Sequence, residues 1–270
     1  MNMTARFIAL AAAFARGGAH AHRPWLLPSA SVVDGPAPVV TIDAAVSEDL
    51  FEYDSFPLKL DALRVTAPAG ADVPADARQD GKRRSSFDVK LAQKGTYRIA
   101  GVTDTAMASY KVGGETKRWR GAPDALAKEV PADAQELQVT RMLARAETFV
   151  TSVAPGTPPA ANVGVGLELQ PLTNPTDLTV GDASRFRLLL DGKPLADADV
   201  TVIRGGNRYR YKMGEIALKT DAAGEFGLAW PEAGRYWLGV NHGARPPAGG
   251  PGPANSRRES YTATFEVLPK

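Results

Sequence analysis

The chain holds three histidines, and His20 and His22 both fall in one stretch, His20-Ala21-His22-Arg23-Pro24-Trp25-Leu26-Leu27-Pro28-Ser29. Upstream lie Arg6, an apolar run from Phe7 to Ala15, and Ala19-His20-Ala21, which are the charged, apolar and small-residue parts of a secretory signal peptide. Alanine at both −3 and −1 favours a cut after Ala21, so residues 1–21 read as a signal peptide and His22 as the first residue of the exported chain. A terminal histidine can close a chelate ring on a divalent metal ion with its α-amine and its own imidazole. The amine has a reference pKa of about 8 and the imidazole of about 6.5, so a metal displaces the remaining proton at modest cost. Pro24, third in the exported chain, has no N–H, so successive deprotonated amides cannot wrap the ion. A cut after Ala19 would instead expose His20-Ala21-His22, whose amine, two amides and third-position imidazole suit square-planar copper or nickel, and His20 is a ligand only in that case. The plain alternative is that both histidines are incidental to the cleavage point.

The remaining histidine, His242, lies in Val240-Asn241-His242-Gly243. With the amine and His22 it could complete a three-nitrogen copper site, a histidine brace; its plain reading is an edge-strand or loop residue. Carboxylates at Asp43, Glu48, Asp49, Asp54 and Glu168 could complete an octahedral nickel or cobalt site. Met107, Met142 and Met213 are scattered and argue against a thioether site for cuprous ion. The chain has no cysteine, which excludes disulfides, thiolate metal sites and cysteine nucleophiles. A Ser-His-Asp hydrolase would have His242 as its sole internal base and finds no G-x-S-x-G stretch; phosphate-cradling and dinucleotide glycine patterns are missing too. The one enzyme reading is a copper monooxygenase with a brace of His22 and His242.

The formal charge of +2 falls to zero with removal of Arg6 and Arg16, so no general attraction to nucleic acid or anionic lipid is expected. Arg204, Arg208, Tyr209, Arg210, Tyr211 and Lys212 read as alternating Arg and Tyr on an exposed strand. After residue 21 no apolar run approaches the roughly 20 residues of a membrane-spanning helix, so the exported chain is expected to lack a transmembrane segment and to reside in the periplasm or outside the cell.

The elements that must position these residues are short strands. Val39–Ile42, Leu58–Leu60, Phe87–Leu91 and Tyr97–Ile99 are β-rich, and residues 123–135 carry the helical propensity, for one or two short helices. Ala154–Pro159 reads as a connection, and strand alternates with turn from Phe186 to Phe226. Ala244 to Ser256, rich in Pro and Gly, reads as a mobile loop. Phe87, Gly95, Tyr97 and Ile99 are echoed 139 residues on by Phe226, Gly234, Tyr236 and Leu238, which suggests two related sandwiches. The expected fold is mainly β, with two antiparallel β-sandwich domains of immunoglobulin or transthyretin type, residues 22–160 and 161–270. Trp25 is expected to pin the amino-terminal segment to a core.

His22-x-x-Trp25-Leu26-x-Pro28-Ser29 combines with Ala45-Val46-Ser47-Glu48-Asp49-Leu50-Phe51, residues Leu167 to Pro175, Gly181-Asp182, Asp191 to Leu195 and Gly234 to Leu238. In these stretches the chain resembles a secreted bacterial family, formally a domain of unknown function, whose members are often labelled NikM-like or periplasmic components of cobalt/nickel transport. The second half also resembles transthyretin-like and carboxypeptidase-regulatory sandwiches. The resemblance implies a periplasmic protein handling nickel, cobalt or copper, with a metal ion and a membrane metal transporter as partners. A metal-independent module that binds a sugar or a protein is the remaining alternative.

Overall fold

The computed structural model describes residues 22–160, 164–243 and 255–270. The expected signal peptide, with His20, and most of the Pro- and Gly-rich loop, residues 244–254, lie outside them.

The first half builds two facing sheets. One holds β1 (Arg23–Pro28), β2 (Val39–Ser47) and β4 (Ser85–Lys90) in the order β1-β2-β4, with Asp76–Asp80 on the outer edge of β4. The other holds β3 (Ala62–Thr66), β5 (Gly95–Val112) and β7 (Gln135–Ser152). Between the sheets, Leu26, Ile42, Phe87, Tyr97 and Val150 share one core. Residues 58–60 are not a strand. Leu58 and Leu60 turn inward from irregular backbone after Pro57, and the strand follows at β3. The ends of β5 and β7 extend as a long arm with β6 (Glu115–Gly121), joined to β5 through Gly113-Gly114. Both glycines have positive φ, which a two-residue hairpin needs to follow the strand twist. Beyond β6 the expected helical segment is a turn of 3₁₀ helix at Pro123–Ala125 and α1 (Leu126–Glu129).

The second half repeats the plan. β8 (Leu167–Pro171), β9 (Ala183–Leu190) and β12 (Glu225–Ala229) form one sheet. β10 (Asp199–Arg204), β11 (Ile216–Lys219), β13 (Gly234–His242) and β14 (Ser256–Val267) form the other, in the order β11-β10-β13-β14. Phe186, Trp230, Tyr236 and Phe265 dominate this core. The segment after Arg204 is not the exposed strand expected from its Arg and Tyr alternation. Gly205-Gly206, the latter with φ 73°, end β10, and Asn207–Tyr209 form a 3₁₀ turn. Tyr209 and Tyr211 stand exposed on the loop that follows.

The internal echo has a structural meaning. Gly95 and Gly234 both take positive φ as the chain enters the strand. Two residues later a tyrosine hydroxyl donates back to the carbonyl four residues upstream, Tyr97 to Gln93 at 3.1 Å and Tyr236 to Glu232 at 2.8 Å. This is the tyrosine corner of immunoglobulin-like sandwiches, and it occurs once in each half.

The halves join edge to edge. β14 runs parallel to β7, from the pair Thr140–Ser256 to Thr148–Thr264, and fuses the two larger sheets into one. On β7, Ala146 and Val150 face the first core while Phe149 faces the second, so residues 145–152 are buried without a break. A third cluster, Trp25, Leu27, Ala45, Leu50, Ile203 and Trp237, draws on both halves. Among the described residues no helix is long and apolar enough to cross a membrane.

At the seam the fully buried Glu147 carboxylate accepts from Arg98 at 2.7 Å, from Tyr261 at 2.6 Å and from Arg145. Burial works against its ionisation, but the charges of Arg98 and Arg145 and the Tyr261 hydrogen bond hold its carboxyl below the usual range.

Two changes test this architecture. Tyr236→Phe removes only the corner hydrogen bond and should cost about 1 kcal/mol, seen as a lower urea midpoint at unchanged slope. Glu147→Ala strands two buried guanidinium groups and should cost about 3–5 kcal/mol in the same experiment.

Candidate metal centre

His22 stands immediately before β1, and the strand behind it is firmly held. Trp25, three residues on, is 1% exposed, and its indole N–H donates to Ser47 Oγ at 2.8 Å. Trp237 of the second half donates to the Pro24 carbonyl at 3.0 Å. Arg23 donates to the Glu48 carbonyl at 3.0 Å, lies over the Trp237 ring and reaches Glu215 at 3.9 Å. The backbone is therefore fixed to within two residues of His22.

The imidazole packs against Phe56 at a centroid separation of 5.3 Å, and its Nε2 lies 3.9 Å from Glu48 Oε1. Both side chains are about half exposed, 51% and 47%. An incoming ion can reach them without any part of the fold opening. Of the two ring nitrogens, Nε2 faces the carboxylate, leaving Nδ1, the nitrogen able to close a ring with an α-amine on the same residue.

Glu48 opens a loop tied down by its own acids. Asp54 accepts from the backbone N–H groups of Glu48, at 3.1 Å, and Asp49, at 2.9 Å. Burial alone would raise its pKa, but these bonds and one from Ser55 keep it below the ordinary carboxylate value. Asn207 crosses from the second half, accepting from the Leu50 N–H at 2.9 Å and donating to Asp49 at 3.0 Å. Phe51 takes φ 65° and lays its ring against Trp25 at 5.6 Å. It fits there because residue 205 is glycine; a β-carbon at that position would come within 2.7 Å of the Phe51 ring.

The other candidate ligands are placed elsewhere. Asp43 accepts from Tyr53 at 2.7 Å and pairs with Arg84, while Asp49 and Asp54 serve the loop. Glu168 is buried on β8. His242 is the last residue of β13, paired across the sheet with Glu259 and close to the charge of Asp191. His22 and His242 thus sit in different surroundings, Glu48 and Phe56 for one, Asp191 and Glu259 for the other. Among the described residues no group of three or more His, Asp or Glu is placed to hold a metal ion. Any centre at His22 would draw on its α-amine, which becomes a ligand only when processing frees it.

The chain matches, over residues 19–244, the family described as a domain of unknown function, DUF4198. It belongs to this family. No curated protein matches it. Among solved structures it is similar to the D0-D1 domain of intimin, at 12% identity over 89% of this chain and 97% of that one, with a TM-score of 0.23. Trypsin-activated alpha-2-macroglobulin from Escherichia coli follows at 13% identity over 90% of this chain and 16% of that one, TM-score 0.23. The ICAM-5 D1-D4 ectodomain fragment follows at 12%, over 92% and 51%, TM-score 0.22. The chain spans a small part of the macroglobulin and about half of the ICAM-5 fragment, and at these scores none of the three carries inference. The DUF4198 match runs from before His22 to just past His242, so both lie within the family's own domain.

Near His242, Arg257 and the Gly166 N–H hydrogen-bond Asp191 and hold its carboxyl at about 2 rather than 3.8. A depressed pKa stabilises the fold above the unfolded value and loses that contribution as pH falls. Stability should therefore decline from pH 3.8 through about 2, and Asp191→Asn should flatten this part of the acid limb in denaturation midpoints followed against pH.

Proposed function

We propose that this is an exported, periplasmic transition-metal-binding protein that holds a divalent ion, copper, nickel or cobalt, at the amino-terminal His22. In this reading it buffers the ion or presents it to a membrane uptake system, in keeping with the cobalt/nickel transport label carried by the family it resembles. The observation that carries the reading is the setting of His22: a half-exposed imidazole on a pinned strand, with Nε2 toward Glu48 and Nδ1 left for the metal. Amine and Nδ1 would supply two nitrogen donors to the ion. Glu48 would orient the ring from the side away from the ion, as carboxylates behind metal-bound histidines do.

The residues present fit a borderline ion better than a soft one, since nitrogen and oxygen donors are at hand and no thiolate exists in the chain. Arg23 would repel a cation, but its guanidinium is turned to the Glu48 carbonyl and Glu215.

Intact mass of the exported protein should show a chain beginning at His22. Calorimetry with Cu²⁺ and Ni²⁺ should then give binding that weakens at least a hundredfold in His22→Ala and about tenfold in Glu48→Gln. An added alanine before His22 should weaken it as strongly as removal of the imidazole, because it displaces the amine. Unchanged affinity in His22→Ala would overturn the proposal.

A further inference from the structure

On the face of β3, β5 and β7 turned toward the second half lies a groove of about 500 Å³. Val165, Gly166 and Leu167, where the chain enters the second sandwich, complete its wall together with Ser260 of β14. The volume lies within the range of small-molecule sites. Ala62, Val102, Leu143 and Val165 give it an apolar lining, with Val165 49% exposed.

Three arginines reach the groove, and they differ. Arg64 is paired with Asp72 and Arg141 with Asp104, and both side chains are nearly half exposed to solvent. Arg145 is 7% exposed and its Nε donates to Glu147, yet among the described residues its two terminal nitrogens make no hydrogen bond. Glu147 is already shared with Arg98 and Tyr261. The charge of Glu168 is felt at Arg145, but the two are not hydrogen-bonded. That terminal edge opens on the groove, and its two nitrogens match the two oxygens of a carboxylate. With Glu147 and Glu168 already beside Arg145, the groove has no spare charge for a dianion, which favours a monoanion over a dianionic phosphate.

We propose that this groove binds a small organic carboxylate with an apolar body. The carboxylate takes the open edge of Arg145 and the hydrocarbon lies along Val102, Leu143 and Val165. The site is independent of any metal at His22.

Octanoate and octanamide, alike in length and differing in charge, are suitable probes for calorimetry on the exported protein. Octanoate should bind saturably and octanamide at least tenfold more weakly. Arg145→Gln should abolish the difference between them. Leu143→Asp, at a half-buried position that leaves the Glu147 network intact, should abolish octanoate binding while the near-ultraviolet circular dichroism stays native. If Arg145→Gln does not fold, the octanamide comparison and Leu143→Asp decide. Absence of octanoate binding, equal binding of both probes, or binding unaltered by Leu143→Asp would each overturn the proposal.

Discussion

A buried carboxylate with two guanidinium partners governs how the halves of this protein meet. Glu147 lies on β7, Arg98 on β5 and Tyr261 on β14, so one side chain ties three strands from both sandwiches. Arg98 continues the tie, donating to the Pro159 carbonyl of the connection at 2.8 Å and the Leu169 carbonyl of β8 at 3.2 Å, with its guanidinium 5.0 Å from the Phe149 ring. Burying such charges is costly, and apolar residues of equal volume can be as stabilising. What the ions add is direction. An apolar seam would tolerate β14 sliding along β7, whereas a carboxylate with three fixed donors accepts one register. That register decides which residues of β14 stand opposite which of β7.

Everything at the candidate centre inherits this constraint. With β13 and β14 fixed against β7, Trp237 is delivered to the Pro24 carbonyl and Asn207 to the loop of Asp49 and Leu50. Those contacts, with Trp25 on Ser47, leave His22 little freedom at its α-carbon. Most of the stretches that carried the family resemblance in the first half serve this junction: Trp25, Ser47, Leu50 and Phe51 hold the halves together, and His22 and Glu48 stand at its rim. A motif gathered around a junction is equally explained by packing, which is why His22→Ala, a change at an exposed position, separates the two explanations where a change at Trp25 would not.

How much of this the residues disclosed beforehand follows from burial. Phe87 to Leu91 alternate because the strand has one wet face, and they were legible as a strand. Residues 145–147 were not, because a strand with a core on both faces loses its alternation and here carries Arg and Glu as well. Leu58 and Leu60 imitated a strand because two inward leucines around a lysine are spaced alike in extended and irregular chain. The paired tyrosine corners were visible as a repeat of Phe, Gly, Tyr and an aliphatic residue; their hydrogen bonds to Gln93 and Glu232 were not, since a backbone acceptor leaves no mark in side-chain types. His22 was legible from the cleavage pattern. Arg145 was not, because a buried arginine reads like any exposed one until its counter-ions are counted in space.

That count also sets the two proposed sites apart physically. At His22 the fold supplies rigidity and leaves the donors wet, so affinity would come from a chelate ring and from a carboxylate that orients the imidazole. At Arg145 most of the guanidinium is already buried against Glu147, so a carboxylate arriving there has only the edge facing the groove to desolvate besides itself. The first arrangement suits an ion that must be taken up and given away. The second favours retention of a ligand, since the groove covers its hydrocarbon while the guanidinium edge holds its charge.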